Sequence, residues 1–271
     1  MSQSVTTVKR GKVLEITLNR PPVNAINLRT SCDLYEAFKM LQNDPELCVG
    51  IITSTGGRIF SAGWDLKEFS ETGSDMVEQG IYDLGPGGLG GLSEFWQLKK
   101  PVIAAVNGKA IGGGFEMLLA ADIILAAEYV EFVLPETHLG FLADGGGIQR
   151  LSKRIPYNIA SELMLTGRAM STQEAHKWGL VSEVLPKNAL MDRARELAST
   201  ISKAAPLALQ AMKEVMQETT TLSDEQSFAR THEAWRSENV FPKYKAMLNS
   251  EDYLEGSNAF SEKREPNYKG R

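Results

Sequence analysis

Cysteine and histidine are scarce in this chain, which has two cysteines and three histidines among 271 residues. Cys32 and Cys48 form no CxxC pair, and His138, His176 and His232 are scattered. Metal sites and disulfide frameworks need such residues in clusters at fixed spacing. The sequence therefore predicts no metal site, and its two thiols are typical of a protein in a reducing compartment.

Long apolar runs and an excess of positive charge are also missing. No apolar stretch reaches the roughly 18–20 residues of a membrane span, and residues 1–12 lack the apolar centre of a secretory signal. The net charge of −5 argues against duplex nucleic acid and anionic membranes as partners. A hydrophobic content of 42% excludes a wholly disordered chain. We expect a cytoplasmic globular protein.

Nucleotide-binding glycine motifs are absent or incomplete. The P-loop patterns GxxxxGKS and GxxxxGKT do not occur, which excludes a P-loop nucleotidase. Residues 85–90 match GxGxxG in form, but they follow no convincing strand. They also lack the acidic residue about 20 positions further on that a dinucleotide site requires. We interpret residues 85–90 as a mobile loop within a loop-like segment from about Gly80 to Gly91.

Short apolar segments alternate with helical patterns in the first part of the chain. Four segments are β-rich or continuously apolar and are bounded by turn residues: 13–18, 49–54, 101–106 and 122–127. Leu34, Phe38 and Leu41 repeat at helical spacing. This alternation predicts parallel βαβ units and an α/β fold.

The pattern changes to long helical stretches after about Asn188. No linker-like segment separates the two parts. We therefore expect an α/β core over residues 1–190, followed by a helical region over residues 191–271 that packs on it.

Two further glycine clusters lead into helix-like segments, 112–114 and 140–147. The first follows a buried strand and precedes residues 115–121. Glycines at a helix start leave backbone N–H groups bare, and such a place suits a developing oxyanion. Tight packing of a strand against a helix is the alternative interpretation.

Two glutamates accompany these clusters. Glu116 is an acid in an otherwise apolar run, for which favourable placement in the first turn of a helix is the alternative explanation. Glu136 follows Pro135, between a β-rich segment at 130–134 and the second cluster. A carboxylate there is not a natural core residue, so we expect it to reach solvent or to line a cleft.

Together, six ordered motifs resemble the enoyl-CoA hydratase/isomerase superfamily, the crotonase family, along essentially the whole chain. The motifs are FSAGWDLK at 60–67, KPVIAAVNG at 100–108, GGGFE at 112–116, LPE at 134–136, LG at 139–140 with GG at 146–147, and LTGR at 165–168 with EA at 174–175. The resemblance implies a spiral core of ββα turns with a helical C-terminal trimerisation region, in a trimer or a dimer of trimers. FSAGWDLK, the loop at 84–94 and residues 250–271 are similar to the branch that dehydrates carnitinyl-CoA.

The resemblance implies catalytic roles for two backbone amides and two carboxyls. The N–H groups of Trp64 and Gly113 would form an oxyanion hole for the thioester oxygen as it becomes an enolate. Glu116 would act on the water and Glu136 on the α-carbon proton, and which of them starts protonated is open. Their joint presence favours hydration and dehydration over isomerisation.

Asp144 departs from the plain hydratase pattern, which has a Pro-Gly pair where this chain has Ala143-Asp144. We consider Asp144 an extra acid, for proton transfer or opposite a cationic substrate head. The alternative is an N-cap or turn acid for the following helix.

Aromatic faces would surround a trimethylammonium head. Four aromatic residues are candidates: Trp64, Tyr82, Trp96 and Phe141.

The resemblance also implies a path for coenzyme A. The contact residues are Ala62, Asp65, Leu66, Lys67, Phe260 and Lys263. The adenine would meet the main chain at Asp65 and Leu66, and Lys67 would lie near the phosphates. The two C-terminal residues would reach the nucleotide of a neighbouring subunit, with a packed aromatic and a solvated lysine as alternatives.

We therefore expect a hydro-lyase that adds water across the 2,3 bond of an enoyl-CoA or removes it from a 3-hydroxyacyl-CoA. The preferred pair is crotonobetainyl-CoA and carnitinyl-CoA. No metal or redox cofactor is implied, because coenzyme A is part of the substrate. One alternative is an enoyl-CoA isomerase that uses Glu136 and Asp144. A more distant one is a non-catalytic or RNA-binding relative, against which the acidic balance argues.

Overall fold

The computed structural model describes residues 4–79, 83–237 and 239–271 and shows a mixed α/β fold. The strands are β1 (Val5–Arg10), β2 (Val13–Leu18), β3 (Val49–Ser54), β4 (Ile59–Ser61), β5 (Val102–Val106), β6 (Lys109–Ile111), β7 (Ile123–Ala127), β8 (Glu131–Val133), β9 (Met170–Ser171) and β10 (Glu183–Leu185). The helices are α1 (Leu28–Asn43), α2 (Leu66–Gln79), α3 (Gly113–Leu118), α4 (Gly147–Arg154), α5 (Tyr157–Thr166), α6 (Thr172–Lys177), α7 (Leu190–Ile201), α8 (Pro206–Thr219), α9 (Asp224–Glu233), α10 (Pro242–Leu248) and α11 (Asp252–Ser261). Two 3₁₀ turns cover Leu89–Gly91 and Glu136–Leu139.

Six strands form the larger sheet, in the order β1-β2-β3-β5-β7-β10. β1 pairs antiparallel with β2, and the other neighbouring pairs are parallel. Every residue of β3 and β5 is buried. A parallel strand that is covered on both faces needs apolar residues on both sides, which explains the continuous apolar runs in the sequence. The predicted strands and their parallel arrangement are confirmed.

The smaller sheet, β4-β6-β8-β9, brings the conspicuous motifs together. β6 pairs parallel with β4 on one side and with β8 on the other. The carboxyl ends of parallel neighbours meet at the same edge of a sheet. The segments 62–67, 112–116 and 134–136, which follow these three strands, therefore start side by side.

One hydrophobic core extends from β1 to α7. In it, Phe115 of α3 packs against Phe132 of β8, with ring centroids 5.1 Å apart. A separate small cluster of Ala234, Val240 and Phe241 lies in the C-terminal part. The helix α7 thus belongs to the main core, and the division of the chain at residue 190 stays a prediction.

A buried lysine ties the C-terminal helices to the larger sheet. Lys213 of α8 donates to Asp122 Oδ2 at 2.7 Å and to the Lys100 carbonyl oxygen at 3.0 Å. The same Asp122 oxygen accepts from the Val102 N–H at the start of β5, at 2.7 Å. Charge-assisted hydrogen bonds of this kind are stronger than neutral ones, so they hold α8 against the end of the sheet.

The prediction of a mobile loop at residues 85–90 is wrong. Residues 80–82 of the wider loop-like segment lie outside the described part of the chain. Leu89, Gly90 and Gly91 are buried, and the Gly90 N–H donates to Ser31 Oγ of α1 at 3.0 Å. A Cβ placed on Gly91 would clash with the Tyr35 nitrogen of the same helix. The glycines here permit close packing rather than motion, because a residue without a side chain lets two backbones approach.

The helix predicted over residues 115–121 is observed as α3, which begins at Gly113 and ends at Leu118. Glycine has a low helix propensity, so its presence in the first turn masked the start. None of the described helices is long and apolar enough to cross a bilayer.

Candidate active site

The three segments that follow β4, β6 and β8 surround a cavity of about 670 Å³. Its walls include Ala62, Trp64, Gly113, Glu116 and Glu136. These residues are far apart in the chain, and the parallel order of the smaller sheet brings them to one place. The structure thus assembles the residues that the sequence analysis assigned to the oxyanion hole and to acid–base chemistry.

The two backbone amides of the expected oxyanion hole lie close together. Gly63 has a φ of +83°, and a Cβ placed on it would lie 2.6 Å from the Ile111 carbonyl oxygen and 2.8 Å from the Gly113 nitrogen. Only glycine allows this contact between the two segments. Within the described residues, neither the Trp64 N–H nor the Gly113 N–H donates a hydrogen bond. Two unpaired donors in a cavity wall can hold a developing oxyanion.

Glu116 lies on α3 and is 4% exposed. Its Oε1 accepts a hydrogen bond from the Gly147 N–H at 3.0 Å. The pKa of this carboxyl is raised to about 8, chiefly by burial. The charges of Glu136 and Asp144 also raise it, and the hydrogen bond from Gly147 lowers it. The acid is therefore protonated at neutral pH. A neutral group gains little from the helix dipole, so placement in a first turn does not explain it.

Glu136 opens the 3₁₀ turn after β8 and reaches back to the first glycine cluster. A Cβ on Gly112, which has a φ of +51°, would lie 2.6 Å from Glu136 Oε1. Its Oε2 is buried and has no hydrogen-bond partner among the described residues. Burial raises the pKa of Glu136, and the Asp144 charge adds to the effect. Glu136 lines the cavity, as predicted, and its unpaired oxygen is available to a ligand.

Asp144 also lines the cavity and acts electrostatically on both glutamates. The following helix, α4, has Gly146 at its N-cap position, without a side-chain cap. The N-cap interpretation of Asp144 is therefore wrong. Asp144 lies in the turn before this helix, so the alternative of a turn acid stays open. A third carboxyl near two buried acids makes it harder for both to ionise, because like charges at close range repel.

The residues expected along coenzyme A divide into two groups. Ala62 and Leu66 line the cavity. The Asp65 carboxylate is occupied elsewhere, since it pairs with Arg20 at 2.6 Å and accepts from the Glu68 N–H at 3.3 Å. Burial and these contacts act in opposite directions, and the contacts with Arg20 and the backbone lower the pKa of Asp65 overall. Lys67 is exposed at the start of α2.

The two C-terminal residues assigned to coenzyme A are not part of the cavity wall of their own chain. Phe260 is 87% exposed at the end of α11, and Lys263 is exposed just after it. A large aromatic side chain at that exposure is not packed, so the alternative of a packed Phe260 is wrong within this chain.

The aromatic candidates divide as well. Trp64 and Phe141 line the cavity. Trp96 does not, and the Arg150 guanidinium lies over its ring at 5.3 Å. Tyr82 lies outside the described residues. Two of the four candidates are therefore at the cavity.

The sequence analysis did not single out several cavity residues, among them Leu89 and Phe69. Leu89 reaches between the glycine clusters, and a Cβ on Gly113 or on Gly145 would lie 2.7 or 2.5 Å from its Cδ2. Phe69 of α2 meets Phe141 edge to face, with ring centroids 5.6 Å apart. The available signals were a leucine isolated among glycines at 85–91 and the three-residue spacing from Leu66 to Phe69, which places both on one helix face.

A mostly apolar cavity with two backbone donors and two carboxyls of raised pKa defines an enzyme that stabilises an oxyanion while moving protons. The comparisons with known proteins agree. The family described as enoyl-CoA hydratase/isomerase matches residues 9–271. Carnitinyl-CoA dehydratases from Salmonella agona and Salmonella paratyphi C are each 48% identical over 271 residues, covering 100% of both chains.

Solved structures show the same relationship. Enoyl-CoA hydratase from Mycobacterium tuberculosis H37Rv is 38% identical, with a TM-score of 0.86 over 99% of each chain. Enoyl-CoA hydratase from Bacillus anthracis is 33% identical, with a TM-score of 0.88 over 99% of this chain and 100% of that one. The chain therefore belongs to the enoyl-CoA hydratase/isomerase family, whose enzymes act on acyl-CoA thioesters. The predicted crotonase-type α/β fold is confirmed.

Proposed function

We propose that the protein interconverts carnitinyl-CoA and crotonobetainyl-CoA by removing or adding water across the 2,3 bond. One observation carries the proposal: Glu116 and Glu136 line one cavity together with the unpaired amides of Trp64 and Gly113. An acid–base pair beside an oxyanion hole is what water elimination next to a thioester needs.

The protein is an enzyme of the hydratase and dehydratase type, a hydro-lyase. Its likeness to carnitinyl-CoA dehydratases extends over the full length of both chains, and its structural neighbours are enoyl-CoA hydratases. The particular acyl group and the residue roles that follow are our proposal.

In the dehydration direction, Glu136 takes the proton from C2 of the thioester and leaves an enolate. The Trp64 and Gly113 N–H groups hold the enolate oxygen. The electron pair then forms the 2,3 double bond as the C3–O bond breaks, and Glu116 gives its proton to the departing hydroxyl, which leaves as water. Hydration reverses each step. The pair carries one proton before and after the reaction, and a second one while the enolate exists.

The electrostatics of the two carboxyls support a shared proton. Burial raises the pKa of Glu116 to about 8 and also raises that of Glu136. Two desolvated carboxyls in one cavity resist double ionisation, so the pair keeps a proton at neutral pH and titrates as a unit. A protonated Glu116 beside an ionised Glu136 is the state that dehydration requires.

The lining of the cavity supports a cationic acyl group. It contains three carboxyls, those of Glu116, Glu136 and Asp144, and no basic side chain among its described members. Rings of Trp64 and Phe141 contribute to the same wall. Aromatic faces and net negative charge attract a quaternary ammonium group, which cannot donate a hydrogen bond. We assign Asp144 to this electrostatic role.

Coenzyme A would enter along residues 62–67, meeting the main chain at Asp65 and Leu66. Lys67 is exposed there and suits the phosphates. We propose that Phe260 and Lys263 complete this site in a neighbouring subunit of a trimer or a dimer of trimers. The C-terminal helices support such an assembly, because they leave large apolar side chains exposed. They include Met212, Met216, Phe228 and Phe260, and Trp235 just after α9 is exposed as well.

We propose a cytoplasmic location and a reaction without a resident metal or redox cofactor. Cys32 and Cys48 are free thiols, as suits a reducing compartment. Hydration and dehydration transfer no net electrons, and the backbone donors stabilise the enolate.

The first test follows the ultraviolet absorbance of the conjugated thioester with crotonobetainyl-CoA and crotonyl-CoA side by side. A much higher kcat/KM for crotonobetainyl-CoA supports the proposal. A preference for crotonyl-CoA keeps the hydratase and removes the cationic acyl group.

Matched variants separate hydration from isomerisation. Glu116→Gln abolishes hydration if the proposal holds, whereas an isomerase working through Glu136 and Asp144 keeps much of its double-bond shift. Glu131→Gln is the control, because this glutamate pairs with Lys109 at 2.7 Å, away from the cavity. Static light scattering of the purified protein tests the trimer.

A further inference from the structure

The orientation of the Glu136 carboxyl depends on the position of the turn that carries it. Its Oε2 has no hydrogen-bond partner among the described residues, and its Oε1 lies against the backbone of Gly112. Among the described residues, no polar side chain holds this carboxyl by a hydrogen bond. Its direction is set by where the 3₁₀ turn Glu136–Leu139 sits.

Two side chains of this turn fasten it to the C-terminal end of α5. Thr137 Oγ1 donates to the Met164 carbonyl oxygen at 3.2 Å. The His138 Nε2 lies 2.7 Å from the Thr166 carbonyl oxygen. A carbonyl oxygen only accepts, so this nitrogen carries the hydrogen and donates.

The imidazole also packs tightly on the end of α5. Gly167, just past the helix, has a φ of +61°, and a Cβ placed there would lie 2.6 Å from His138 Cδ2. The ring therefore occupies space that any other residue at 167 would fill. Contact and hydrogen bond together determine the position of His138 relative to α5.

The support for His138 is itself held in place. Arg168 donates to the Glu162 carboxylate of α5 at 2.8 Å and to the Glu174 carboxylate of α6 at 2.7 Å. Two charge-assisted contacts from one planar group restrict the loop that joins these helices. The carbonyl acceptor at Thr166 is thus part of a rigid frame.

We infer that His138 is a positioning residue, which holds the turn so that the Glu136 carboxyl points at the C2 proton of the thioester. The inference rests on the proposed role of Glu136. Catalytic groups must lie within about 0.5 Å of the productive geometry. A misplacement of about 1 Å costs about 100-fold in rate.

The test uses His138→Leu, which removes the donor, and His138→Gln, whose amide nitrogen can replace Nε2. We expect the leucine variant to lose about 10- to 100-fold in kcat for crotonobetainyl-CoA hydration, with KM nearly unchanged. The glutamine variant should recover most of the loss. His176→Leu is the matched control, because His176 Nδ1 lies 2.9 Å from the Val181 carbonyl oxygen, outside the cavity.

A second readout isolates the step assigned to Glu136. In D₂O, wild-type protein should exchange the C2 protons of butyryl-CoA, which has no hydroxyl to lose, by taking a proton and returning a deuteron. His138→Leu should slow this exchange as much as it slows kcat. A purely structural role would instead lower the melting temperature and leave the exchange rate per folded molecule unchanged.

The outcomes are distinguishable. If Glu136→Gln stops the exchange while His138→Leu exchanges at the wild-type rate, the inference is overturned and the role of Glu136 stands. If Glu136→Gln exchanges normally, the proposed role fails and the inference fails with it. If the glutamine variant is as slow as the leucine variant, the hydrogen bond from His138 does not position the turn, and the inference is overturned. Should His138→Leu fail to fold, Thr137→Val removes the second fastening and should slow the exchange in the same direction.

Discussion

Replacing Glu116 with glutamine should stabilise the folded protein while abolishing its activity, and the stabilisation should grow with pH. Burial raises the pKa of Glu116 from 4.5 to about 8. Between these values the folded protein holds a proton that the unfolded chain has released. Its stability therefore falls as the pH rises through this window. Glutamine does not titrate, so the variant escapes that loss.

The size of the effect follows from the linkage relation. Each pH unit within the window costs the wild-type protein about 1.4 kcal/mol of unfolding free energy. Between about pH 6 and about pH 7.5 the variant should gain about 2 kcal/mol on the wild type. Glutamine retains an oxygen that can accept the Gly147 N–H bond, which Glu116 accepts at 3.0 Å. The packing cost of the change is therefore small and independent of pH.

Urea unfolding followed by tryptophan fluorescence measures the difference at several pH values. Glu174→Gln is the control with the opposite sign, because hydrogen bonds from Arg168 lower the pKa of Glu174. The ionised Glu174 stabilises the wild-type protein above the ordinary carboxyl range, and this contribution is lost only as the pH falls through the lowered pKa. The unfolding free energy of Glu174→Gln should therefore stay below that of the wild type by a constant amount over the tested window. A Glu116→Gln difference that is equally flat would refute the raised pKa and the protonated state assigned to this acid.

Three further results are expected. Gly63→Ala places a methyl group 2.8 Å from the Gly113 nitrogen and should separate the two oxyanion donors. We expect steady-state kinetics to show a kcat that is lower by about 100-fold or more. An unchanged kcat would contradict the oxyanion role. Lys213→Met removes the charged partner of Asp122 and should cost about 2 kcal/mol in urea unfolding, with kcat of the folded enzyme retained. Lys67→Met should raise KM for the thioester with little change in kcat, and the effect should shrink at high salt; a salt-independent KM would argue against a phosphate contact.

Much of the fold could be predicted from the sequence, because burial leaves a local signature. β3 and β5 are covered on both faces, so apolar residues fill most of their positions. The two buried hydroxyls at the end of β3 are paired, Thr53 with the Ala105 carbonyl oxygen and Ser54 with Asn107 Oδ1. The helix start at Gly113 and the packing of residues 85–91 could not be predicted in the same way. Glycine permits both a mobile loop and a close contact between backbones, and only the neighbour decides between them.

For the candidate site, the sequence by itself determined which groups are available: the two glutamates, the glycines of 112–114 and their places at the ends of strands. Only the tertiary structure decided that Glu116 and Glu136 share one cavity and hold a proton. Proximity depends on the parallel pairing of β4, β6 and β8, and a raised pKa depends on burial by the whole surrounding core. The hydrogen bond between His138 and α5 also depends on the tertiary structure, because the Thr166 carbonyl oxygen becomes its neighbour only when the chain has folded.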